Sequence, residues 1–229
     1  MSEFFTSPLF CITLSLAAYC IGCRVRAKTG SALANPLIVA AVLIGVVLFA
    51  TGTDVEAYYE ATDMIRFWIM PATAVLGVAI YKNLTLIRKQ WLPVMGGCLV
   101  GALTAIGSVV VLAKAFGLER ELAVGLAPKS VTMAIATSLS EQHGGLVPIT
   151  VFGVVLTGVL GAVAAPLLIR LLRIKAPTEA GLAIGASSHA VGTSTAVQLG
   201  EIEGAMSGAA SGLVGIFTVL LALALPYVL

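Results

Sequence analysis

Six long apolar runs, near residues 4–23, 34–52, 66–82, 91–115, 146–170 and 205–228, constrain what this 229-residue chain can fold into more than any other feature. A bilayer core takes about 20 helical residues to cross, so each run is a candidate span, the third somewhat short. The runs are continuous and lack period-two alternation, which selects helices over a membrane barrel. Only 10% of the residues are charged, against about a quarter in an ordinary soluble domain, too few to clothe a water-facing surface of this size. The expectation is an all-α polytopic membrane protein, a single membrane domain over 1–229.

Two further segments, 121–141 and 179–200, are less hydrophobic and rich in Gly, Ser and Thr. Their topology follows from charge. Basic residues cluster at 24–28, 82–89 and 170–175, while acidic residues dominate 54–63. Placing the basic clusters in the cytoplasm puts the N-terminus and the acidic loop outside. The chain then reaches the outside near 116–121, and run 146–170 must also start outside if Arg170, Arg173 and Lys175 are to end inside. Segment 121–141 therefore reads as a re-entrant hairpin or a broken helix pair. By the same logic 179–200 starts and finishes inside. About six full spans plus two broken or re-entrant segments result, in the inner (cytoplasmic) membrane.

An internal echo adds a transporter-like trait. Residues 71–80 read PATAVLGVAI and 128–136 read PKSVTMAIA, and each is followed by a proline, Pro93 or Pro148, opening a Gly-rich run. Repeats with broken helices in corresponding positions point to a midplane site in secondary transporters. Recurrence of Gly and Pro in membrane helices by chance is the alternative.

The first polar segment runs from Gly125 through Pro128-Lys129-Ser130-Val131-Thr132 to Glu141. Pro128 removes a helical donor and clashes with the preceding turn, which frees carbonyls there. Lys129, Ser130 and Thr132 crowd that break with donors. An intramembrane lysine is costly unless it faces water, an acid or exposed carbonyls, and such residues are functional candidates by default. The reading is a site that attracts an anion through Lys129 and orients it with Ser130, Thr132 and the amides of a helix resuming after Pro128. Snorkelling of Lys129, or its pairing with Glu201, is the structural alternative.

The second segment, Ala186 to Ala196, gathers Ser187, Ser188, His189, Thr193, Ser194 and Thr195 around Gly192. Such a cluster must face protein or a hydrated cavity, because lipid cannot satisfy it. Histidine is the side chain able to exchange a proton near neutral pH, so His189 is a candidate for proton coupling, although a lone His is as often a structural hydrogen-bonding residue. Asn35-Pro36 reads as a helix start, Asn as cap and Pro in the first turn, and also places the Asn35 amide near a pathway. The four cysteines lie in or beside the runs, and Cys20-x-x-Cys23 lacks the further ligands of a zinc site. With His143 and His189 as the only histidines, and no nucleophile triad or phosphate loop, an enzyme is not expected. Neither a cofactor, a bound metal nor a nucleic-acid partner is expected.

At these segments the chain resembles the LrgB family, also called CidB/LrgB or antiholin-like. The residues that carry the likeness are Asn35-Pro36-Leu37, Pro71 with Ala79-x-Tyr81-Lys82, Pro128-Lys-Ser-Val-Thr132, and Ser188-His-Ala-x-Gly-Thr193 leading to Glu203-Gly-Ala-x-Ser207. Relatives often continue the first block with Thr-Pro, where this chain has Met133-Ala134. They often carry a basic residue after the Gly-Thr, where this chain has Ser194-Thr195. The resemblance implies two competing functions. One is modulation of murein hydrolase export and autolysis in the manner of a holin or antiholin. The other is carboxylate movement, as in plastid glycolate/glycerate translocators and in relatives that act on pyruvate with a small LrgA-type membrane partner. Broken segments, a buried cation and hydroxyl clusters favour the second. The expected ligand is a small monocarboxylate or 2-hydroxy acid of the pyruvate, lactate, glycolate and glycerate class. Binding is expected at Lys129, Ser130, Thr132, Ser188, His189, Gly192 and Thr193, supported by Asn35, Pro128 and Glu201, in a chain that self-associates.

Overall fold

The computed structural model describes residues 2–29 and 36–229, and among them every regular element is helical. In chain order these are α1 (Ser2–Phe5), α2 (Pro8–Thr29), α3 (Pro36–Thr51), α4 (Val55–Ala61), α5 (Asp63–Phe67), α6 (Ile69–Lys82) and α7 (Leu84–Lys89). Then follow α8 (Trp91–Phe116), α9 (Arg120–Leu126), α10 (Met133–His143), α11 (Val147–Leu171), α12 (Pro177–Leu199), α13 (Glu201–Ala222) and α14 (Leu225–Val228). Four of them, α2, α8, α11 and α13, are long and apolar enough to cross a membrane, or up to 5 if α3 and α4, bent by 120°, count as one span. The count falls below six because run 34–52 supplies a 16-residue helix and run 66–82 a 14-residue one. At 1.5 Å per residue those helices are about 24 and 21 Å long, short of a hydrocarbon core of about 30 Å.

The chain divides into two compact units, Met1–Val75 and Leu76–Leu229. In the first, α2 packs on α3 where Gly22 faces the Pro36 carbonyl, 2.6 Å from the position a Cβ would take. The hydroxyls of Ser15 and Tyr58 pin α4 to α2 at 2.5 Å.

The second unit is organised around α11. Before it, α9 and α10 form a hairpin. Its open end is closed where the Leu146 amide donates to the Glu121 carbonyl at 3.2 Å, so the chain returns to the level it left. Behind that clasp the Thr150 hydroxyl donates to Ser140 at 2.7 Å, both fully buried. The tip, 127–132, reaches Gly153 of α11, where a Cβ would lie 3.0 Å from Leu126 and 3.5 Å from the Lys129 Cβ.

After α11, α12 is a second hairpin. His189 leaves the helical region with φ 44° and ψ −144°. Ile184 and Ala196, which would stand about 18 Å apart in a straight helix, share one buried cluster with Ala165. The first arm, 177–188, runs along α13 in the same direction, with Gly181 against Met206 and Gly185 against Ser207. The second arm, 190–199, runs antiparallel to it, with Thr193 bonded to Ser207 and Val197 against Gly204. Its tip reaches α11 from the opposite end, because the His189 ring abuts Gly158 while Ile184 and Ala196 pack beside Ala165. The two hairpins thus enter from opposite ends of α11, and their tips meet it five residues apart, about 7.5 Å along the axis.

Of the echoed prolines, Pro93 and Pro148 both sit in the first turn of their helices, α8 and α11. Pro71 lies within α6, whereas Pro128 lies in the turn ahead of α10.

The glycines of α11 are what let the tips approach. A Cβ at Gly158 would lie 2.7 Å from His189 Cε1 and 2.9 Å from the Val191 Cβ, and one at Gly161 would collide with Ser188. Gly158→Ala should therefore destabilise by about 1–3 kcal/mol, the cost of overpacking. Gly96→Ala on α8, where nothing lies within 4 Å, should be near neutral, and thermal unfolding in detergent would compare the two.

Candidate functional site

The α9–α10 turn holds Lys129 in place through its backbone. The Lys129 amide donates to the Leu126 carbonyl at 3.2 Å and the Val131 amide to the Pro128 carbonyl at 3.3 Å. Pro128 ends the first arm as its chemistry requires, and Thr132, with an extended backbone, starts α10 without a side-chain cap. The first amides of α10 therefore lack the partner that an N-cap side chain would supply. Ser130 is 7% exposed, and its hydroxyl makes no hydrogen bond among the described residues.

Lys129 reaches across to α8, where its ammonium donates to the Ala105 carbonyl at 3.3 Å. That contact sits on the wall of a cavity of about 430 Å³ between α8 and the two hairpin tips. Thr104, Ala105 and Ser108 line it from α8, Lys129 and Ser130 from the first tip, and Ala183, Ala186 and Ser187 from the first arm of α12. Gly97, Val100 and Gly101 of α8 complete it, and Gly101 allows Ala186 to come within 3.3 Å of where its own Cβ would be. The cavity thus has one fixed cation, four hydroxyls and otherwise small apolar groups. An ammonium carries three donors, and one carbonyl leaves two for an anionic guest.

The other residues expected in the site lie elsewhere. His189, 3% exposed, faces α11 instead, its Nε2 donating to the Val154 carbonyl at 3.0 Å. A carbonyl only accepts, so the ring proton sits on Nε2 and Nδ1 is left as an acceptor in the neutral ring. The Thr193 hydroxyl donates to the His189 carbonyl at 3.0 Å and accepts from Ser207 at 2.8 Å. Gly192 is buried against Ile184 inside the hairpin. Ser188 touches α11 at Gly161 and is bonded to the cavity-lining Ser187 at 2.9 Å. His189, Ser188, Thr193 and Gly192 thus build the tip that presents Ser187. Thr132 is half-buried and is not among the lining residues. Pro128 is buried in the turn.

Glu201 opens α13 exposed. It stands six residues before Ser207, about 9 Å along the axis, and the ammonium of Lys129 is bonded to Ala105 instead. Asn35 lies outside the described residues. Thr104 and Ser108 were not expected; their signal in the sequence is a pair of hydroxyl residues four apart, which share one helical face, in an otherwise apolar span.

A family model described as the LrgB-like family matches residues 15–227. The antiholin-like proteins LrgB of Bacillus mycoides (strain KBAB4) and Bacillus cereus (strain B4264) are each 35% identical over 215 residues, covering 93% of this chain and 93% of each relative. The antiholin-like protein LrgB of Bacillus anthracis (strain CDC 684 / NRRL 3495) matches to the same extent. No solved structure matches.

The opposed hairpins predict sidedness. Single cysteines at Glu121 and Glu141 should be modified by an impermeant thiol reagent from one face of sealed vesicles. Cysteines at Lys175 and Glu179 should be modified from the other. Modification of all four from one face would contradict the arrangement.

Proposed function

This chain belongs to the LrgB-like family, and from that premise we propose that it is a membrane transporter of small monocarboxylates or 2-hydroxy acids. The observation that carries the reading is the Lys129 ammonium, bonded to one carbonyl in a cavity lined by Thr104, Ser108, Ser130 and Ser187. A lysine at membrane depth costs roughly 3 kcal/mol on insertion scales. A carboxylate between Lys129 and those hydroxyls would offset that cost with charge-assisted hydrogen bonds. The cavity has room for a molecule of about five to seven non-hydrogen atoms, as in glycolate, pyruvate, lactate and glycerate.

The basic residues support a cytoplasmic-membrane orientation in which the end of α11 bearing Arg170, Arg173 and Lys175 faces inward. The N-terminus is then expected outside. His189 enters as the residue that positions the α12 tip; a proton coupled to transport would reside on Nδ1, since Nε2 is committed to Val154. A small LrgA-type membrane partner and self-association belong to the same proposal, and crosslinking in native membranes would detect both.

A second reading rests on the printed names of the relatives, antiholin-like protein LrgB: a membrane protein that modulates lysis rather than moving a solute. Uptake of labelled pyruvate, lactate, glycolate and glycerate into proteoliposomes separates the two. Saturable uptake of at least one acid is expected, falling by more than about tenfold in Lys129→Ala, as loss of a charge-assisted bond of 1.5–3 kcal/mol implies. His189→Ala should weaken uptake less and shift its pH dependence. Dye release without saturable uptake would favour the lysis reading.

A further inference from the structure

A second cavity, of about 270 Å³, lies further along the seam between α8 and the first arm of α12, toward the basic end of the unit. Gln90 and Pro93 line it from α8, Thr178, Glu179 and Leu182 from α12, and Met206 from α13. The Lys129 cavity begins about a turn further along α8, at Gly97, and at the next residue of α12, Ala183. Leu182 lies in the seam where the two abut. Leu182 lines the outer cavity, and its Cδ2 lies 3.0 Å from the place a Cβ would take on Gly97, which lines the inner one. Glycine at 97 is what allows the isobutyl group to fill that gap.

We propose that a solute reaches Lys129 from the basic end through this outer cavity, and that Leu182, seated against Gly97, is the gate between the two compartments. The gate rests on the reading of the inner cavity as a carboxylate site. A leucine moves between discrete staggered rotamers, so Leu182 can block the seam in one and clear it in another without displacing either helix. Glu179 lies one turn before it on α12, in the outer cavity. A carboxylate there disfavours an anion waiting outside the gate, so the stable position lies beyond Leu182, beside Lys129. With Leu182 seated against Gly97 the seam is closed, and opening it would join the site to the end that carries Arg170, Arg173 and Lys175.

The test uses the full chain in sealed vesicles of known orientation, with Cys11, Cys20, Cys23 and Cys98 replaced and Ser187→Cys as a reporter in the inner cavity. An impermeant anionic methanethiosulfonate added at the basic face should modify the reporter. Leu182→Ala should raise the rate by about tenfold, as expected when a well-packed leucine no longer has to be displaced, and Leu182→Phe should lower it. Opposite signs from the two substitutions exclude a merely loosened fold. Equal rates in all three backgrounds, or modification only from the opposite face, would overturn the gate. Labelling needs no transport, so the two proposals fail separately. A flat labelling result with Lys129-dependent uptake intact removes the gate alone, and Leu182-dependent labelling without uptake removes the transport reading alone.

Discussion

A helix that breaks within a bilayer exposes amides and carbonyls that hydrocarbon cannot satisfy, so it survives only against protein or water. The rest of unit 2 depends on how α11 meets that constraint. Gly153 receives the first broken tip and Gly158 and Gly161 the second, each lacking the Cβ that would crowd its neighbour there. The Val154 carbonyl takes the His189 ring proton, and Thr193 takes the His189 carbonyl. A residue with a left-handed φ, unusual for anything but glycine, is thereby held by two side-chain bonds. The left-handed backbone at the tip and the missing Cβ atoms of Gly158 and Gly161 are two halves of one arrangement.

With both tips fixed on α11, their other faces define the cavity toward α8. Lys129 and Ser130 come from one, Ser187 from the other, and Thr104, Ala105 and Ser108 from α8. No single element supplies the site. A shift of either tip along α11 would move the cation relative to the hydroxyls and open or close the space between them. Such a site responds to movement of its parts, which is what alternating access demands of a transporter.

Much of this was legible in the sequence, for identifiable reasons. Pro128 marks a helix end by covalent chemistry, and the structure ends α9 there. The return of 121–141 to its starting level followed from charge placement alone, and the Glu121–Leu146 bond is its physical form. Segment 179–200 reads as broken or re-entrant without a position for the break, and the residue that leaves the helix is His189. Nothing local announces it, because the cause is a carbonyl 35 residues away on α11. The same blindness applied to the site. Polarity identified the residues of the second tip but not which way they face, so His189, Ser188 and Thr193 were grouped with Lys129 although they turn toward α11 and α13. Thr104 and Ser108 were missed, since a threonine or serine in an apolar span satisfies itself on its own helix often enough to attract no notice.

Carboxylate binding that depends on Lys129 is most directly read by thermal unfolding of purified protein with each small acid. A ligand at 100 times its Kd adds about 2.7 kcal/mol to the folded state, enough to raise Tm visibly. Wild-type protein should be stabilised by at least one of pyruvate, lactate, glycolate and glycerate, and Lys129→Met by none of them. Stabilisation of neither protein, or of both equally, would contradict a carboxylate site at Lys129.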